Sequence, residues 1–93
     1  METIFEIIEK ENINTLKFPS NEVLNSEEEI RQRFIDLNRA LYLGNLEHSK
    51  IKIFFEDNQS KKVVETTVWA LTDHRVILKK GFTIPIHRIY MSA

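Results

Sequence analysis

Residues 50–56 read Lys-Ile-Lys-Ile-Phe-Phe-Glu, and their polarity alternates with a period of two. Successive side chains of a β-strand point to opposite faces of the sheet. One face of this segment therefore holds Ile51, Ile53 and Phe55, and the other holds Lys50, Lys52, Phe54 and Glu56. The pattern predicts a strand that is buried on one side only.

More strands are predicted on the C-terminal side of this one. Residues 57–60, Asp-Asn-Gln-Ser, have the composition of a turn. Residues 63–71 are rich in β-branched and aromatic side chains, which favour a longer second strand. Turns at residues 72–73 and at Gly81 then separate three short strands, predicted at residues 75–79, 83–86 and 89–91.

A helix is predicted on the N-terminal side, over residues 27–43. Ser26 followed by three glutamates forms a capping box, in which the serine hydroxyl accepts from the backbone of Glu29. The helical spacing of four apolar residues predicts one buried stripe, made of Ile30, Phe34, Leu37 and Leu41. Gly44 is expected to end the helix as its left-handed cap.

One helix followed by five short strands predicts an α+β fold, with a five-stranded antiparallel small β-barrel after the helix. We expect a single domain over residues 26–93. Residues 1–25 form an N-terminal arm. The pattern does not decide whether this arm is ordered against the barrel or adopts a loose conformation.

Composition excludes several classes of protein. The chain has 93 residues, 42% hydrophobic and 29% charged, which is enough for one globular core and too apolar for a wholly disordered chain. It lacks cysteine, which excludes disulfide frameworks and thiolate sites. No run approaches the length of a membrane span, and the acidic start lacks the features of a secretory signal, so a cytoplasmic protein is expected.

No motif of catalysis, metal binding or cofactor binding is apparent. The two glycines lie far apart and form no phosphate-binding loop, and the three histidines, His48, His74 and His87, have no metal-ligand spacing. Asp73 and His74 form an adjacent acid–base pair, but aspartate is ordinary in a turn. We therefore expect a non-catalytic protein without cofactor or metal.

The charge distribution points instead to a binding surface. Residues 1–47 carry ten acidic and five basic side chains, whereas residues 48–93 carry four acidic and eight basic ones. Basic side chains with interspersed aromatic rings suit single-stranded nucleic acid, although such lysines also occur on ordinary solvated faces. The pattern leaves open whether Trp69 and Phe54 lie in the core or at the surface. The candidate binding residues are Lys50, Lys52, Phe54, Trp69, Arg75, Lys79, His87 and Arg88.

Residues 84–89, Ile-Pro-Ile-His-Arg-Ile, resemble a stretch of the Rho-binding antiterminator proteins, a bacterial Sm-like family. The layout of residues 26–92 is similar to Sm-like and SH3-like barrels, in which a short fourth strand passes through a 3₁₀-type turn into the fifth. The resemblance implies a bacterial protein with such a barrel and, by analogy, self-association through strand edges. His87 stands where the antiterminators carry an acid, so Rho binding is not part of what the resemblance implies.

Two hypotheses for the function follow. The first is a small binding module that engages a protein partner, or a second copy, through the barrel edge or the N-terminal arm. The second is an Sm-like module that binds single-stranded RNA through the basic strand face.

Overall fold

The computed structural model describes residues 4–93, which form one α-helix, seven β-strands and three 3₁₀ helices. The α-helix, α1, spans Glu27–Glu47, and the 3₁₀ helices span Lys10–Thr15, Lys79–Gly81 and Ile86–Arg88. The strands are β1 (Glu6–Ile8), β2 (Ile51–Glu56), β3 (Lys61–Thr66), β4 (Val68–Leu71), β5 (Arg75–Leu78), β6 (Thr83–Pro85) and β7 (Ile89–Ser92).

The strands form two sheets. The first sheet has the order β1-β3-β2-β7, in which β1 runs parallel to β3 and the other pairs are antiparallel. The second sheet has the antiparallel order β4-β5-β6. The predicted α+β class is confirmed, but strand pairing among residues 4–93 does not close a five-stranded barrel.

The predicted strand over residues 63–71 is divided in two at Thr67. Thr67 is buried, and its carbonyl accepts a hydrogen bond of 2.9 Å from the backbone N–H of Lys79. The chain therefore leaves the first sheet after β3 and enters the second as β4. The composition of this segment predicted strand residues correctly, but it carried no signal for the change of sheet.

Helix α1 begins as predicted and ends later. The backbone N–H of Glu29 donates to the Ser26 hydroxyl at 3.1 Å, which confirms the N-terminal cap. The prediction that Gly44 caps the C-terminus is wrong, because the helix continues to Glu47 and His48 takes the left-handed conformation, with φ of 55°. Gly44 lies instead against the backbone of Val68, where the helix crosses β4.

The buried stripe of α1 differs from the predicted one. Its buried residues are Arg33, Leu37, Ala40 and Gly44. Of the four predicted residues, Leu37 is fully buried, whereas Phe34 is 68% exposed. Arg33 can lie inside because its guanidinium forms two hydrogen bonds to Glu22, at 2.6 and 2.7 Å, and a third to the carbonyl of Ile89 at 2.9 Å.

Several residues of the N-terminal arm pack against the rest of the chain. Ile13, in the 3₁₀ helix, is part of the hydrophobic core, and Leu24 is buried. The backbone N–H of Val23 donates to the carbonyl of His87 at 3.0 Å. This segment therefore belongs to the same packed unit as the two sheets. Within residues 4–93, the one α-helix is not apolar enough to span a membrane.

Candidate functional site

A row of apolar side chains crosses the whole outward face of the four-stranded sheet. Ile7 of β1 pairs with Val63 of β3, Val63 with Phe54 of β2, and Phe54 with Met91 of β7. The opposite face of β2, made of Ile51, Ile53 and Phe55, packs in the core. A sheet with one buried face normally carries polar residues on its other face, so this row is unusual.

Two members of the row are strongly exposed. Ile7 is 84% exposed and Met91 is 45% exposed, and Ile4, next to β1 along the chain, is 83% exposed. Between Ile7 and Met91 the row is largely covered, since Val63 is only 8% exposed and Phe54 is half-buried. The two exposed members therefore lie at opposite edges of the sheet, on β1 and β7.

An aromatic cluster lies beside this row. The ring of Phe5 contacts Phe54 edge to face, with centroids 5.0 Å apart, and Tyr90 at 6.0 Å. The ammonium group of Lys61 lies 5.1 Å from the centroid of the Tyr90 ring. We use "outer sheet face" for the surface formed by Phe5, Ile7, Lys52, Phe54, Lys61, Val63, Glu65, Tyr90 and Met91.

The outer sheet face contains a hollow of about 480 Å³, lined by Phe5, Ile7, Lys52, Phe54, Val63 and Glu65. Its apolar floor is large enough to receive a side chain of another molecule. Lys52 pairs across strands with Glu65, and Lys61 with Glu56. Each cation therefore has an acid opposite it on the neighbouring strand, and the lining of the hollow itself includes one charge of each sign, Lys52 and Glu65.

Tyr90 is fixed by Glu56. Its hydroxyl donates a hydrogen bond to the Glu56 carboxylate. Partial burial, together with that hydrogen bond and the negative charge of Glu56, raises the pKa of Tyr90 to about 12. The phenol is therefore neutral throughout the ordinary pH range and serves as an aromatic wall with a fixed orientation.

Strand β1 is tied to the sheet by polar contacts as well as by Phe5. The Glu6 carboxylate accepts from the Ser60 hydroxyl at 3.2 Å and lies 3.6 Å from the Lys62 ammonium. Lys62 is itself buried against Asp57, with both carboxylate oxygens at 3.1 Å. Burial raises the pKa of Asp57, but hydrogen bonds from the N–H groups of Ser60 and Gln59 and from Lys62 outweigh burial and lower it overall.

The predicted site residues lie on different surfaces. Lys52 and Phe54 belong to the outer sheet face, and Lys50 is exposed just before β2. Trp69, 49% exposed, lies on β4 in the second sheet. Arg75 is also in that sheet and donates to the Thr83 hydroxyl at 3.2 Å, and Lys79 follows it on the 3₁₀ helix. The structure therefore places Lys52 and Phe54 on one face of the first sheet, whereas Trp69, Arg75 and Lys79 lie on or next to the second sheet.

His87 and Arg88 join the N-terminal segment to the sheets. Arg88 is buried, and its guanidinium donates to the carbonyls of Glu56 at 3.0 Å and of Asn21 at 2.9 Å. The Nε2 atom of His87 lies 3.0 Å from the carbonyl oxygen of Pro19. The predicted binding role of Arg88 is therefore corrected to a structural one, because the N–H groups of its guanidinium donate to backbone carbonyls inside the protein.

Sequence reasoning missed seven members of the outer sheet face: Phe5, Ile7, Lys61, Val63, Glu65, Tyr90 and Met91. The run Ile-Phe-Glu-Ile-Ile at residues 4–8 is rich in β-branched residues, and this was the signal for a strand. A parallel partner 56 residues further along the chain could not be derived from it. Among residues 4–93, no three histidine or carboxylate side chains lie close enough to bind a metal ion.

Comparisons with protein-family models, with curated proteins and with solved structures find no match to this chain.

Proposed function

We propose that this chain is a small protein-binding module and that its docking surface is the outer sheet face. The observation that carries the proposal is the apolar row of Ile7, Val63, Phe54 and Met91, which crosses all four strands and whose two ends, Ile7 and Met91, are exposed. Protein interfaces combine an apolar centre with a polar rim. On the outer sheet face, the apolar side chains of the hollow lie beside the charged Lys52 and Glu65.

The occupant we propose is a polypeptide segment that carries large apolar side chains. One such side chain fills the hollow between Ile7 and Phe54, where burying it stabilises the complex by about 1.5–3 kcal/mol. Phe5, Phe54 and Tyr90 supply rigid aromatic walls, the type of residue that dominates binding energy at interfaces. In this proposal the N-terminal arm takes part directly, because β1 contributes Ile7.

The alternative is binding of single-stranded RNA, favoured by the rings of Phe54 and Tyr90 beside Lys52 and Lys61. It has less support than a protein partner. Each of these lysines has a glutamate opposite it on the neighbouring strand, which reduces the attraction for phosphate. The other candidate cations, Arg75 and Lys79, lie on or next to the second sheet.

As a finer part of the proposal, we infer that the fold is a variant of the small Sm-like and SH3-like architectures. If β3 and β4 are counted as one strand bent at Thr67, then five strands follow the helix in the expected order. The 3₁₀ helix Ile86–Arg88 between β6 and β7 supports this inference, because such a turn occurs at that point of those folds.

Photo-crosslinking distinguishes the two partner classes. Ile7 is replaced by the photoreactive benzoyl-phenylalanine and the protein is irradiated in extract of its source organism, with the same replacement at the exposed Phe34 as the control. We expect an adduct from position 7 that ribonuclease leaves intact and that yields peptides of a second protein, cross-linked to residue 7, in mass spectrometry. An adduct that ribonuclease destroys, or no adduct specific to position 7, contradicts the proposal.

A further inference from the structure

A second apolar surface lies on the solvent side of α1, away from both sheets. Ile35, Tyr42 and Leu46 are exposed by 44%, 64% and 61%. At about 100° per residue, these side chains lie roughly opposite the buried stripe that contains Leu37 and Ala40. Helix α1 therefore has an apolar face that no described residue covers.

The spacing of this face is that of a helix–helix seam. Ile35, Arg39, Tyr42 and Leu46 follow one another at intervals of four, three and four residues. Alternation of three and four is the spacing of the a and d positions at which paired helices contact each other. In that pattern Ile35 and Tyr42 take d positions, and Arg39 and Leu46 take a positions.

We propose that this face binds the same face of a second copy of the chain, with the two α1 helices antiparallel. The proposal does not depend on the outer sheet face, which lies on different elements. Arg39 decides the orientation. A parallel pair would place the two Arg39 side chains against each other. In an antiparallel pair, an a position of one helix faces a d position of the other, so each Arg39 guanidinium lies over the Tyr42 ring of the other copy.

The helix dipoles favour the same orientation. The first turn of α1 carries Glu27, Glu28 and Glu29, and its last turn carries no basic side chain, so side-chain charges at the two ends do not select the orientation. In an antiparallel pair the two helix dipoles oppose each other, which is favourable.

Sedimentation equilibrium of the purified full chain over a wide range of concentration, up to millimolar, tests the dimer. We expect the measured mass of the wild-type protein to approach that of two chains as its concentration rises. In Leu46→Glu we expect the dissociation constant of the dimer to rise at least tenfold. The matched control is Phe34→Glu, on an equally exposed residue outside the seam, which leaves the constant within about twofold. A monomer at millimolar concentration, or an equal effect of Phe34→Glu, overturns the proposal.

Cysteine cross-linking tests the orientation, and the natural chain contributes no cysteine of its own. We expect a disulfide when Ile35→Cys and Leu46→Cys proteins are mixed and oxidised. Leu46→Cys alone is expected to form none, because antiparallel pairing separates the two positions by about 16 Å along the axis. Efficient cross-linking of Leu46→Cys to itself, without the mixed product, contradicts the antiparallel arrangement.

Discussion

Gly44 of α1 lies against the backbone carbonyl of Val68 on β4, so close that a Cβ atom at position 44 would overlap the carbonyl oxygen. The Thr67 methyl group lies 3.2 Å from the same point. Glycine is therefore present in the last turn of the helix because of close packing, and the helix continues through it to Glu47. This contact fixes how α1 lies on the second sheet.

Gly44→Ala is expected to lower the free energy of unfolding by about 2 kcal/mol. The clash with backbone at Val68 costs about 3 kcal/mol, and the better helix propensity of alanine returns at most about 1 kcal/mol. Urea denaturation measures the difference. The control is Asn45→Ala, on the exposed neighbouring residue, which should stabilise by a few tenths of a kcal/mol. Unchanged or higher stability of Gly44→Ala contradicts the close contact.

Glu22→Gln is expected to destabilise the fold by about 1–2 kcal/mol, because it leaves the buried Arg33 guanidinium without its carboxylate. This loss of stability is smaller than the loss expected for a fully buried ion pair, because the Glu22 side chain is 31% exposed. Glu11→Gln, which breaks an exposed pair with Lys10, is the control and should change stability by less than about 0.5 kcal/mol. Equal effects of the two substitutions in thermal denaturation would show that the Arg33 pair has no special importance.

Asp57 should make the protein sensitive to acid. Because its pKa in the folded state is below the ordinary value of 3.8, its contribution to stability is complete above that value and is lost as pH falls through the folded pKa. Asp57→Asn should therefore be less stable than wild type at neutral pH. Between neutral and strongly acidic pH, its free energy of unfolding should fall by less than that of wild type. Urea denaturation across that range measures both, with Asp73→Asn in an exposed turn as the control. An equal loss of stability from neutral to acidic pH in wild type and in Asp57→Asn contradicts this role.

Tyr90 should titrate far above the ordinary tyrosine value of 10.0. In a Tyr42→Phe background Tyr90 is the remaining tyrosine, and its ultraviolet absorbance should report a pKa of about 12. Adding Glu56→Gln should lower that value, since it removes the negative charge that the phenolate would face. Ionisation of Tyr90 near 10 in the folded protein would mean that the hydroxyl is neither partly buried nor bonded to Glu56.

The local parts of the fold were predictable from sequence, and the long-range parts were not. The Ser26 cap depends on four consecutive residues, and the buried side of β2 depends on simple alternation, so both were found. Division of one strand at Thr67 depends on Lys79, and burial of Arg33 depends on Glu22. Neither partner can be identified from the residues next to it.

The candidate surface was predictable only in its Lys52 and Phe54 side chains, for the same reason. Lys52 and Phe54 follow from the alternation of one strand. The row that extends them requires the pairing of Phe54 with Met91 and of Val63 with Ile7. That pairing also separates Trp69 and Arg75 from Phe54, since they lie in the other sheet.

The most direct test of the outer sheet face uses the partner protein that is cross-linked to position 7. Its affinity is measured by titration with three purified chains: wild type, Ile7→Lys and Phe34→Lys. Both replaced residues are highly exposed, at 84% and 68%, so neither variant should unfold. We predict that Ile7→Lys weakens binding at least tenfold, about 1.4 kcal/mol, because a charge enters the apolar contact, and that Phe34→Lys binds like wild type. Equal affinity of wild type and Ile7→Lys would contradict the assignment of this face as the binding surface.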